Sequence, residues 1–110
     1  MQIDKPWGFE LVLDDGEDYT FKVIRVKPGC RLSLQTHERK RETLLVLEGI
    51  MRLEVGPAVH RLVPFMHRTI LAGEVHRIGC MGDDVLVFAE AATGGRMWDV
   101  TRHEDDYGRL

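Results

Sequence analysis

No stretch of this chain approaches the ~20 consecutive apolar residues that a membrane-spanning helix needs, so that class of protein is excluded. Cysteine is nearly absent. Two thiols, Cys30 and Cys80, are too few for a disulfide framework, and both are expected to be reduced. Clustered positive charge is lacking as well. At a net charge of −3, with Arg39-Lys40-Arg41 the one basic cluster, there is no electrostatic footprint for nucleic acid. That triplet reads equally as a solvated turn or a phosphate site. The opening residues Met1-Gln2-Ile3-Asp4-Lys5-Pro6-Trp7 have neither the basic region nor the apolar run of a secretory signal, so a cytoplasmic location is expected. Apolar residues nowhere recur at helical spacing.

What the chain does contain is ordinary for a globular protein. Its 110 residues are 44% hydrophobic and 30% charged, which suits one domain over residues 1–110 with a single core. The apolar pattern alternates in short runs, giving candidate strands Phe9 to Leu13, Thr20 to Val26, Arg31 to Thr36, Glu42 to Glu48, Ile50 to Val55, His60 to Leu62, Thr69 to Leu71, Arg77 to Cys80 and Asp84 to Ala91. Turn chemistry separates them. Asp14-Asp15-Gly16, Pro28-Gly29, Gly49, Gly56-Pro57, Gly73 and Gly82-Asp83-Asp84 tolerate positive φ or preset a turn. So many short strands in one small domain predict an all-β sandwich or closed roll. Residues 1–13 read as an N-terminal arm, and residues 98–110 as a docked arm or short helix.

Set within this frame is a glycine-anchored series of metal-capable side chains. From the turn at Gly29, alternation puts Gln35 and His37 on one strand face; Glu42 opens the next strand, Gly49 ends it, and His76 follows the turn at Ala72-Gly73. Two imidazoles, an amide oxygen and a carboxylate form a mixed set that suits one divalent transition metal with open positions, a catalytic or substrate-binding arrangement rather than a structural one. The donor set by itself admits zinc, manganese, iron, cobalt or nickel.

The spacing from Gly29 through Gln35, His37 and Glu42 to Gly49 resembles the first cupin motif, with glutamine in place of its first histidine. Leu71-Ala72-Gly73-Glu74-Val75-His76 resembles the second, with Leu71 in place of proline and Cys80 in place of asparagine. Further matches lie in Lys5-Pro6-Trp7-Gly8, Tyr19, Lys22, Val26-Lys27-Pro28-Gly29, Leu32-Ser33-Leu34-Gln35 and Glu104-Asp105-Asp106-Tyr107-Gly108-Arg109. Together they resemble the C-terminal cupin domain of type II mannose-6-phosphate isomerases, over nearly the whole chain. In those enzymes a guanylyltransferase domain precedes the cupin; with no room for one here, that activity is not expected.

The resemblance implies a cupin double-stranded β-helix, a jelly-roll barrel, holding a zinc-like ion on Gln35, His37, Glu42 and His76. It implies aldose–ketose isomerisation of a sugar phosphate, in which a proton moves between C1 and C2 through an enediolate. Lys22 and Glu90 are the candidate catalytic residues. Departures are read as altered cavity walls around an unaltered metal set: Thr43-Leu44 where the family has His-Trp, Lys40 for arginine, Val23 for the arginine after Lys22, and Ala92 for glutamine. The competing reading is a non-catalytic metal-containing cupin that binds a sugar or another small polar ligand. A homodimer is expected, with Ile3 to Leu13 contributing by edge pairing or strand exchange.

Blander roles are expected elsewhere. His60, His67 and His103 read as non-functional, Trp7 and Tyr19 as packing residues, and Cys80 as quiet filler. Arg102 and Arg109 have planar guanidinium donors that could clamp a phosphate, but read first as solvated or paired with nearby acids. Alternation puts Lys22 on the face of Ile24 and Val26, which places it either at the barrel mouth or snorkelling out at an edge.

Overall fold

The computed structural model describes all 110 residues, and every regular element is a strand. In chain order these are β1 (Gln2–Lys5), β2 (Gly8–Asp15), β3 (Thr20–Val26), β4 (Leu34–Thr36), β5 (Arg41–Glu48), β6 (Ile50–Val55), β7 (Ala58–Leu62), β8 (His67–Ile70), β9 (His76–Met81), β10 (Leu86–Thr93) and β11 (Thr101–Glu104). No helix is long and apolar enough to cross a membrane. A six-stranded sheet in the order β1-β2-β3-β10-β5-β8 packs against a five-stranded sheet in the order β11-β4-β9-β6-β7. This is the all-β closed roll expected from the alternating runs, and the jelly-roll barrel that the resemblance implies.

Period-two alternation decides which side chains go in. In β3 Thr20, Lys22, Ile24 and Val26 are buried while Phe21 and Arg25 are exposed. Fourteen residues make the core, among them Ile24, Leu44, Val46, Met51, Leu53, Ile78 and Phe88. Full burial of a side chain of this kind contributes ~1.5–3 kcal/mol, and this is what holds the two sheets together. Cross-strand register then places the polar residues. Ile24, Phe88 and Val46 form one inward row across β3, β10 and β5; the next is Lys22, Glu90 and Leu44, and the third is Thr20, Ala92 and Glu42. Within two rows the inward face changes from hydrocarbon to ionisable groups, so one end of the barrel is a polar mouth.

Strand boundaries follow the sequence reading with instructive exceptions. Thr20–Val26 and Ile50–Val55 have the expected bounds. The strand expected from Arg31 is regular only over Leu34–Thr36, because Arg31 makes a single isolated bridge to Gly79. Gly49 turns β5 into β6 with φ +77°, and a Cβ there would lie 2.2 Å from the carbonyl oxygen of Val85. Glycine is required on both counts.

Both termini are built into sheets. The expected N-terminal arm is the β1–β2 hairpin, folded back on β3 of its own chain, and it leaves β1 as the sheet edge. The tail is a docked arm and not a short helix: β11 pairs with β4, Arg31 grips Asp106 through Nε at 2.7 Å and Nη2 at 2.9 Å, and the Tyr107 hydroxyl donates to the Arg31 carbonyl at 3.0 Å. Tertiary partners decide against helix here, since the tail's polar sequence has no apolar stripe of its own to bury.

Candidate metal centre

Three chain segments bring the ligand candidates to the mouth. His37 immediately follows β4, Glu42 is the second residue of β5, and His76 begins β9. They are 3%, 2% and 0% exposed, and one ligand atom from each lies within 4.8 Å of the others. Gln35 is the cross-strand partner of His76 and lines the same cavity as His37 and Glu42.

Hydrogen bonds on the far side of each ring orient the imidazoles. His37 Nδ1 faces the main-chain oxygen of Asp99 at 2.6 Å, and His76 Nδ1 faces that of Glu74 at 2.9 Å. A carbonyl can only accept, so each Nδ1 carries a proton, and in the neutral ring each Nε2 presents a lone pair. Those lone pairs converge on Glu42 Oε1, at 3.2 Å from His37 and 3.0 Å from His76. The second distance is short, yet His76 Nε2 is buried without hydrogen-bond geometry to any partner. Three electron-rich atoms turned toward one point repel each other unless a cation lies among them, and imidazole with carboxylate is a donor set for divalent ions. The residues therefore fit a divalent metal, and the neutral Gln35 lines the same cavity. Burial raises the Glu42 pKa; when a ring instead carries a proton on Nε2 it donates to this carboxylate, and those bonds from His37 and His76, with the Lys40 charge, outweigh burial and hold the pKa well below the carboxylate range.

Further charges line the cavity. Lys5, Lys22, Lys40, Arg102 and Arg109 contribute positive groups, while Glu10 and Glu90 join Glu42 as acids. Lys22 is 4% exposed and lies inside the mouth, its Nζ 3.5 Å from Glu10 and 3.7 Å from Glu90. Snorkelling to an edge is ruled out. Burial pushes the Lys22 ammonium down, but Glu90 and Glu10 more than offset it and the pKa rises. Glu90 is pushed up to about 8, first by burial and next by repulsion from Glu42, with Lys22 and Lys40 opposing. Trp7, Ile24 and Leu32 supply an apolar wall.

The structure separates several residues that the sequence left ambiguous. Arg102 and Arg109 both reach the cavity, and Arg109 also chelates Asp105 through Nε at 2.9 Å and Nη2 at 2.7 Å. Trp7 packs in the core, but Tyr19 does not pack as expected: it is 47% exposed, because it sits in the turn before β3. Cys30 and Cys80 are free thiols against the core, and burial pushes Cys80 up. The substitutions read as altered walls mostly lie elsewhere. Thr43 and Val23 fall on the outer face by alternation, Leu44 and Ala92 are buried and inward in the rows of Glu90 and Glu42, and only Lys40 lines the cavity itself. It keeps the positive charge.

Asp99 escaped the sequence reading. Besides its carbonyl contact with His37, its carboxylate accepts the main-chain N–H groups of Glu38 (2.9 Å), Arg39 (2.9 Å) and Lys40 (3.0 Å). Burial opposes its charge, yet these donors outweigh it and the pKa is lowered. No local pattern could have revealed it, since 62 residues separate it from His37.

Comparison with known proteins agrees with this architecture. The family described as mannose-6-phosphate isomerase C-terminal matches residues 1–110. Xanthan biosynthesis protein XanB of Xanthomonas campestris pv. campestris is 34% identical over 98% of this chain and 24% of its own length. Mannose-1-phosphate guanylyltransferase ManC of Salmonella typhimurium is 34% identical over 99% of this chain and 23% of its own. The chain thus spans about a quarter of the length of the curated relatives it matches. A solved Klebsiella pneumoniae protein with a double-stranded β-helix domain superposes with a TM-score of 0.81 at 17% identity, covering 94% of this chain and 90% of that one. A family match over the full length, on the same barrel, makes this chain a member of the mannose-6-phosphate isomerase C-terminal family of cupins.

Proposed function

We propose that this domain is a metal-dependent aldose–ketose isomerase acting on a sugar phosphate, with mannose 6-phosphate the first candidate substrate. The observation that carries the reading is the convergence of His37, Glu42 and His76 at the wall of a cavity that His37 and Glu42 line together with Lys22 and Glu90. A divalent ion, zinc first, would supply Lewis-acid polarisation of the carbonyl and the neighbouring hydroxyl oxygen. Everything else falls to side chains. Glu90, with its raised pKa, can hold or release a proton near neutral pH, and Lys22 beside it steadies the charged form. Lys5, Lys40 and Arg102 give the mouth the charge that a phosphate dianion requires. Trp7, Ile24 and Leu32 limit water on the opposite wall.

A homodimer belongs to the same proposal. The outer face of the six-stranded sheet carries a row from Leu11 through Val23 and Ala89 to Leu45, with Phe21 beside it, and a second copy would cover that row. A cytoplasmic location fits relatives that serve bacterial polysaccharide biosynthesis. Metal-replete protein assayed with mannose 6-phosphate and with fructose 6-phosphate tests the isomerase reading. Interconversion supports it; metal-dependent sugar binding without turnover replaces it with the non-catalytic cupin.

A further inference from the structure

Two histidines face the proposed ion, but their supports differ in origin. His76 donates to Glu74, two residues earlier, inside the turn that delivers it. His37 donates to Asp99, on the connection between β10 and β11, from the far end of the chain. Nothing local to β4 fixes the His37 ring. Asp99 also controls the chain between His37 and Glu42, because its carboxylate accepts three successive N–H groups from Glu38, Arg39 and Lys40. One residue thus grips the ring through its main chain and the following turn through its side chain.

The approach of the two loops is close enough to depend on glycine. A Cβ at Gly95 would lie 2.5 Å from Asp99 Oδ2, 2.9 Å from Lys40 Cβ and 3.0 Å from Lys40 N. A side chain at position 95 would therefore push the Asp99 carboxylate off the turn it holds.

We propose that Asp99 is a positioning residue for the metal centre: it sets the tautomer and tilt of His37 and fixes the turn that spaces His37 from Glu42. This rests on the metal-centre reading above and adds the β10–β11 connection to it. A partner of this kind behind a ligating imidazole is worth ~10–100-fold in metal affinity.

The experiment uses the full chain and three variants: Asp99→Ala, Asp99→Asn and Gly95→Ala. Zinc affinity is read by competition with a chromogenic chelator. The His37 tautomer is read in metal-free protein by long-range nitrogen-15 NMR. Asp99→Ala and Gly95→Ala are expected to lose ~10–100-fold in zinc affinity and to mix the His37 tautomers while His76 stays protonated on Nδ1. Asp99→Asn retains one oxygen for the N–H groups and is expected between these variants and the wild type. Should Asp99→Ala fail to fold, Gly95→Ala carries the test with the aspartate still present. Unchanged affinity together with an unchanged His37 tautomer overturns the proposal. If the wild type binds no zinc, the metal reading fails by itself, and the tautomer comparison still decides the role of Asp99.

Discussion

Lys22 and Glu90 are direct cross-strand partners on β3 and β10, with Nζ 3.7 Å from Oε2. That separation is within ion-pair reach whenever Glu90 is ionised but is too long for a hydrogen bond, and Glu90 Oε2 is buried with no hydrogen-bond partner at all. A buried carboxylate oxygen without a partner costs free energy, so the pair reads as held open for something that enters the mouth. Lys22 is expected to act on the reaction and not on the metal. In Lys22→Ala, kcat should fall by ~100-fold or more while the metal content stays at the wild-type level. Wild-type turnover in that variant would make Lys22 a structural residue.

Glu42→Ala should lose both the ion and turnover, since this residue supplies the only carboxylate of the three converging groups. Elemental analysis after dialysis, set beside the assay, checks it. The reverse measurement is equally direct. Zinc should raise the Tm of the wild type in a concentration-dependent manner and leave the Tm of Glu42→Ala unmoved.

Asp105 gives a prediction about acid. Its carboxylate accepts from Arg109 N at 2.7 Å, Nε at 2.9 Å and Nη2 at 2.7 Å, and the guanidinium holds its pKa down at about 2, from an ordinary 3.8. A depressed carboxyl pKa contributes stability above its unfolded value, which is lost as pH falls through the folded value. Asp105→Asn should therefore lower Tm at neutral pH, and the gap to wild type should close between about pH 4 and pH 2. A gap that persists below pH 2 would show that the loss was one of packing.

Gly49→Ala should destabilise the barrel without touching the site chemistry. The left-handed backbone costs an L-residue ~1–2 kcal/mol, and overlap with Val85 adds to that. In urea the midpoint should fall while the slope is retained. A midpoint equal to the wild type would mean that the β5–β6 turn can relocate at no cost.

The sequence disclosed those features that depend on short range. Period-two alternation located β3 and β6 with their bounds, and glycine-anchored spacing picked out His37, Glu42 and His76, because a turn and two strands fix where such residues point. Features fixed by distant partners were not visible. Gln2–Lys5 reads only as part of an N-terminal arm until β2 pairs with it, and Thr101–Glu104 becomes a strand only because β4 offers an edge. For Thr43 and Val23 the altered-wall reading failed for a related reason. Thr43 and Val23 were known to neighbour site residues in sequence, but one step along a strand reverses the face.

The three residues of β4 have no neighbour close in the chain. Their partners are β9, some forty residues on, and β11, later still, while the His37 ring waits for Asp99 at a separation of 62 residues. Closing such loops costs entropy before any contact repays it, so β4 belongs to the late part of refolding. The β2–β3 and β6–β7 hairpins close over a few residues each and can form while the mouth is still unformed. Refolding followed by core fluorescence from Trp7 and by zinc uptake should then show two separate times, with competence for the ion arriving second.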